Sequence, residues 1–259
     1  MSAEFDAGPP APIAQICANC PTPANAKAFW TAWGPVFYRG QLDGSARVLC
    51  IASDPGPTER VAQRTLVGDA GQRVQGFLTK LGLTRSYACV NAFPYALHPS
   101  YGQQVDSLLA EPHEQTWRHT FYDAVLPGHL QAVVLFGVNA QKAFDLWPGK
   151  PNVHQERIPH PSSRDAAALV SAWHDAVAKL RGIVSPDPGG SAAGANYGSS
   201  FKESDYAAIP RGDLPFGVPS FLGDDSTGRG AQPRRNDSVK RPSPDDGRTL
   251  IWTAPPLSH

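Results

Sequence analysis

Two short runs in this chain carry side chains that could act together on one substrate. In Ala52-Ser53-Asp54-Pro55-Gly56, followed by Pro57, a carboxylate sits on a restricted backbone. Pro55 and Pro57 fix φ, and Gly56 allows a ligand to approach the main chain closely. Asp54 could supply an anion or orient a water; the alternative is that it only caps a helix. In His160-Pro161-Ser162-Ser163 a histidine is held by the proline that follows it. Its ring could donate a hydrogen bond while serine hydroxyls or backbone amides hold a phosphate near a helix N-terminus. The alternative is an ordinary loop histidine, since the chain has eight histidines. The two runs together say more than either alone.

The elements that must position these runs follow from apolar patterning. Arg47 to Ala52, Tyr87 to Asn91 and Gln131 to Gly137 are short continuous apolar runs, as expected of buried parallel strands, and Arg157-Ile158-Pro159 leads into His160. Between them, Ala70 to Leu81 has Val74, Phe77, Leu78 and Leu81 at helical spacing, with Gly82 as a stop. Asp106 to Val125 and Val138 to Leu146 read as helices, and so does Asp165 to Leu180, with Leu169, Trp173 and Val177 on one face. The expectation is a three-layer α/β/α domain with a central, mostly parallel four-stranded sheet over about residues 12–183, after a disordered 1–11. Ligands of such sheets bind beyond the carboxyl ends of the strands, where Asp54, Asn91 and the His160 loop all fall.

The remainder differs in kind. Residues 184–200 are rich in Pro, Gly, Ala and Ser and read as linker; 201–259 is a Pro/Gly-rich, largely irregular extension in which Leu250-Ile251-Trp252 could dock on the domain. Arginines and lysines interspersed with aspartates near its end are a solvated linker or a DNA-contacting arm. The chain has 259 residues, 41% hydrophobic, with 23 basic and 23 acidic residues, so bulk charge announces no polyanionic partner. No run reaches the roughly 18 to 20 apolar residues of a membrane span, and MSAEFDAGPPAPI lacks the order of a secretory signal, so a cytoplasmic monomer is expected.

In motif order the chain resembles the uracil-DNA glycosylase superfamily. Its members carry a catalytic loop after the first core strand, of the Gly-Gln-Asp-Pro, Gly-Glu-Ala-Pro-Gly or Gly-Met/Ile-Asn-Pro-Gly type, and a His-Pro-Ser-type loop late in the domain. Ala52 to Gly56 and His160 to Ser162 are similar to these. Leu66-Val67-Gly68-Asp69-Ala70-Gly71, Tyr87 to Asn91, and Phe136-Gly137 with Ala140 look like the intervening landmarks of the bacterial iron–sulfur branch.

The resemblance implies base excision from DNA that contains a damaged base. Asp54 would then balance positive charge on the sugar and orient water, and His160 would donate to the departing base. Asn91 would read the uracil edge through an amide that both donates and accepts. Ser53, Pro55 and Gly56 would surround the base, with Pro57, Ser162, Ser163 and Arg164 on the DNA backbone. Leu66 replaces the family's stacking aromatic, leaving Phe93 as the candidate for that contact. Ser53 stands where the iron–sulfur branch has glutamate.

Cys17-Ala-Asn-Cys20-Pro21 resembles the first pair of that branch's cluster ligands, but the later two cysteines are missing, and Cys50 and Cys89 lie inside strand-like runs. The expectation is therefore no metal and no cofactor, with Cys17 and Cys20 as free thiols. Two other functions stay in view: a glycosylase-like module that binds DNA or another partner without turnover, and an unrelated α/β hydrolase, for which no Gly-x-Ser-x-Gly elbow is present.

Overall fold

The computed structural model describes residues 5–126 and 128–215. The basic stretch and Leu250-Ile251-Trp252 therefore lie outside the described residues. In chain order the elements are α1 (Ala11–Ala18), β1 (Tyr38–Gly40), β2 (Val48–Ala52), α2 (Pro57–Ala62), α3 (Asp69–Lys80), β3 (Tyr87–Asn91) and α4 (Val105–Leu109). They continue with α5 (Pro112–Val125), β4 (Ala132–Phe136), α6 (Val138–Asp145), β5 (His154–Ile158) and α7 (Ala166–Leu180). Among the described residues, no helix is long and apolar enough to cross a membrane.

The fold is α/β, with a mostly parallel sheet in the order β1-β3-β2-β4-β5. β2 lies at the centre, parallel to β3 and β4; β5 is parallel to β4, and β1 pairs antiparallel with β3. The alternation of strand side chains explains the three layers. Val48 and Cys50 face one side, where Val74, Phe77 and Leu78 of α3 and Leu169, Trp173 and Val177 of α7 cover them. Leu49 and Ile51 face the other, against Ile13 of α1, Phe121 and Tyr122 of α5 and Phe144 of α6.

The sheet has five strands rather than the expected four. The additional strand is β1, three residues long at the sheet edge, too short for an alternating pattern to show. The helix expected over 106–125 is two: Glu111 adopts ψ 120 before Pro112, which opens α5. A proline disfavours helical backbone in the residue before it, so the chain breaks there and restarts.

The segments expected to be loose pack against the domain where they are described. Asp6 accepts from the Tyr38 hydroxyl and from Arg64 Nε, both at 2.7 Å. In the stretch read as linker, Asp187 Oδ2 accepts the N–H groups of Thr84, Arg85 and Ser86 at 2.7 to 3.0 Å. Tyr197 and Phe201 pack edge-on against Trp173 of α7. No periodic pattern announces these contacts, because they come from isolated side chains rather than from a helix or strand face.

Candidate active site

β2 connects through α2 and α3 to β3 on one side, and the chain then crosses to β4 on the other. The strand order therefore reverses between the carboxyl ends of β2 and β4, which is where open α/β sheets bind ligands. A cleft of about 320 Å³ lies there, lined by Ser53, Asp54 and Gly56 after β2, by Phe136 to Asn139 around the end of β4, and by His160 after β5. That size falls at the lower end of small-molecule sites, about 300 to 1,000 Å³.

Asp54 is held at both oxygens. Ser53 Oγ donates to Oδ1 at 2.6 Å, and the Leu97 N–H donates to Oδ2 at 2.9 Å. Ser53 Oγ in turn accepts from Asn139 Nδ2 at 2.8 Å, so the hydroxyl proton is directed at the carboxylate. Each carboxylate oxygen keeps a further lone pair for a water or a substrate atom. Burial pushes the Asp54 carboxyl above the usual carboxylate range, against the lowering effect of the Ser53 and Leu97 bonds. Asp54 does not cap α2: the N-cap of that helix is Gly56, and no side chain caps it.

His160 has a defined proton. Burial pushes its imidazole down to about 4, so the ring is neutral near pH 7. Nδ1 accepts the Ser162 N–H at 3.2 Å, which places the remaining proton on Nε2. The loop is anchored from behind: Trp173 Nε1 donates to the Pro159 carbonyl at 3.2 Å, and Arg73 Nη1 to the Pro161 carbonyl at 2.8 Å. Gly137 allows this close packing, because it has φ +87 and a Cβ there would lie 2.8 Å from His160 Cβ. Gly56 has ordinary backbone angles, and a Cβ there would meet the end of the Glu59 side chain, Oε2, at 2.6 Å. Glu59 is itself buried and accepts the N–H groups of Val67 and Gly68 at 2.9 and 2.8 Å, tying the 66–68 loop to α2.

No protein-family model matches this chain, and neither does any curated protein. The geometry therefore has to carry the functional reading.

Of the residues expected to surround a base, the structure brings Ser53, Asp54, Gly56 and His160 together around the cleft. Four others, Asn91, Phe93, Leu66 and Pro55, do not line it. Asn91 is 6% exposed at the end of β3, on the far side of β2 from β4, with Nδ2 3.4 Å from Thr65 Oγ1. Phe93 is buried against Phe29, ring centroids 5.4 Å apart, and Leu66 is buried in the core with φ +56. Pro55 is buried, whereas Pro57, Ser162 and Arg164 are exposed and Ser163 is half-buried. Asn139 is a cleft residue that the sequence reading did not single out, whereas Phe136, quoted there as a motif landmark, borders the cleft with its ring buried against Phe77 and Trp173. A strand order would have pointed to Asn139, since it lies two residues after Gly137 beyond the strand next to β2.

Cys17 and Cys20 are half-buried free thiols that burial pushes up to about 11 and about 12. An iron–sulfur cluster takes four thiolates. The four cysteines do not converge: among the described residues, no three His, Cys, Asp or Glu side chains gather as a metal requires. The chain's own thiols therefore do not fit a cluster of the branch it resembles.

Proposed function

We propose that this chain hydrolyses the N-glycosidic bond of uracil or a related deaminated base in DNA. The observation that carries this is one cleft lined by both the Asp54 carboxylate and the neutral imidazole of His160. As the bond to the base breaks, positive charge builds on the sugar and negative charge on the base. Asp54 offsets the first, orients a water towards the sugar carbon and takes its proton. The bonding electron pair leaves with the base, and His160 Nε2–H stabilises the resulting anion. A neutral imidazole does this through a hydrogen bond from its N–H, with no proton transferred to the base. The target nucleotide has to leave the duplex to reach a cleft of this kind, or be unpaired from the start.

Asn139 replaces Asn91 as the amide nearest the base in this reading. That replacement also favours a second reading, a module that binds DNA without turnover. Base release from single- and double-stranded DNA containing uracil, hypoxanthine or xanthine separates the two. The wild type is expected to release at least one of these bases, and Asp54→Asn to slow release by about 10² to 10⁴-fold. No release of any base by the wild type would remove the enzymatic reading, and an Asp54→Asn variant of full activity would remove the mechanism.

A further inference from the structure

The surface beside the cleft carries an aromatic and cationic array that the chemistry above does not use. Trp30 is 45% exposed and Trp33 51%, and the guanidinium of Arg60 lies 5.4 Å from each ring centroid. His98 stacks on Trp30 with centroids 5.3 Å apart and planes 19° from parallel. The array is bound to the Asp54 loop from two directions. Arg60 Nε donates to the carbonyl of Gly56, which lines the cleft, at 3.4 Å. On the other side Trp30 N–H donates to Ala96, and the next residue, Leu97, donates to Asp54.

Its charge is one-sided. The segments that build it, residues 26–33, 57–63 and 97–103, contain Lys27 and Arg60 and a single carboxylate, Glu59. Glu59 is buried and turned to the amides of Val67 and Gly68. Half-exposed indoles are costly in water unless a partner covers them. Exposed π systems combined with cations and no exposed carboxylate match unpaired bases linked by phosphates, since every base can stack and every phosphate attracts a cation.

We propose that Trp30, Trp33 and Arg60 form a stacking platform for unpaired bases next to the nucleotide held in the cleft, which makes single-stranded DNA the preferred substrate. The proposal rests on the glycosylase reading for its cleft occupant, but its binding test does not. Bases stacked inside a duplex cannot lie on these rings, so the platform selects an unpaired strand.

The test is anisotropy of a labelled, undamaged oligothymidylate, alongside a duplex of equal length, with circular dichroism as the check on folding. The wild type is expected to bind the single strand more tightly than the duplex. Trp30→Ala with Trp33→Ala is expected to weaken single-strand binding at least tenfold, and Trp33→Phe, which keeps a stacking ring, to stay within about threefold of wild type. Wild-type affinity in the double alanine variant overturns the proposal. So does equal loss in Trp33→Phe and Trp33→Leu, because a role that does not distinguish a ring from an aliphatic chain is not stacking. Tryptophan-dependent binding with no base release supports the platform while removing the glycosylase reading. Base release with tryptophan-independent binding does the reverse.

Discussion

Burial raises the proton affinity of Asp54 and the Ser53 hydrogen bond opposes it, so replacing Ser53 separates that role from mere packing. Ser53→Ala deletes the 2.6 Å hydrogen bond to Asp54 Oδ1 and leaves the Leu97 N–H as the donor on the other oxygen. A hydrogen bond to a charged group contributes about 1.5 to 3 kcal/mol, so the carboxylate should bind its proton about 10- to 150-fold more tightly without it. The cleft is open to water, which can partly replace the hydroxyl and favours the lower end of that range. The measurement is the pH titration of the Asp54 carboxyl carbon in protein labelled at aspartate. The midpoint should rise in Ser53→Ala and return towards wild type in Ser53→Thr, which keeps a hydroxyl. Because Asp54 must be ionised to act, the acidic limb of base release should move up with it. Burial already raises the folded-state value above the unfolded one. The folded state therefore holds this proton more tightly, and Asp54 costs stability as pH rises through the window between the two values; Ser53→Ala widens that window. An unchanged or lower midpoint in Ser53→Ala would refute the reasoning.

His160 gives the opposite sign: with its folded value pushed down to about 4 from an ordinary 6.5, the unfolded chain binds the extra proton first, and stability is lost as pH falls across that window. Thermal melts of His160→Gln should lack this acid sensitivity, so any stability gap to wild type narrows or reverses between about pH 6.5 and pH 4. Arg39 and Asp213 form an ion pair at 2.9 Å with side chains 0% and 6% exposed, and the Tyr87 hydroxyl also donates to Asp213 at 2.7 Å. Asp213→Ala strands the buried guanidinium and should cost about 3 to 5 kcal/mol in urea unfolding, whereas Arg39→Met combined with Asp213→Leu should recover most of it. A double variant no more stable than Asp213→Ala would contradict that account.

Continuous apolar runs made β2, β3 and β4 legible within a residue or so, because strands buried on both faces must be apolar throughout. α3 and α7 were legible from their spaced apolar faces, and Asp165 caps α7 through a 3.0 Å bond from the Ala168 N–H. β5 was harder to see: only Glu156 and Ile158 of its five residues are buried, so little apolar signal is present.

Local sequence thus determined the α/β class, the loops after the strands, and the presence of a carboxylate and a histidine in two of those loops. It did so because backbone preferences and burial patterns are properties of short segments. Which loops meet is a different matter, since it depends on strand order. Asn139, after β4, donates to Ser53 Oγ, whereas Asn91, paired in register with Ala52 on the other flank of β2, turns its amide to Thr65. The lowered proton affinity of His160 likewise comes from burial in the tertiary structure, which its own loop does not announce.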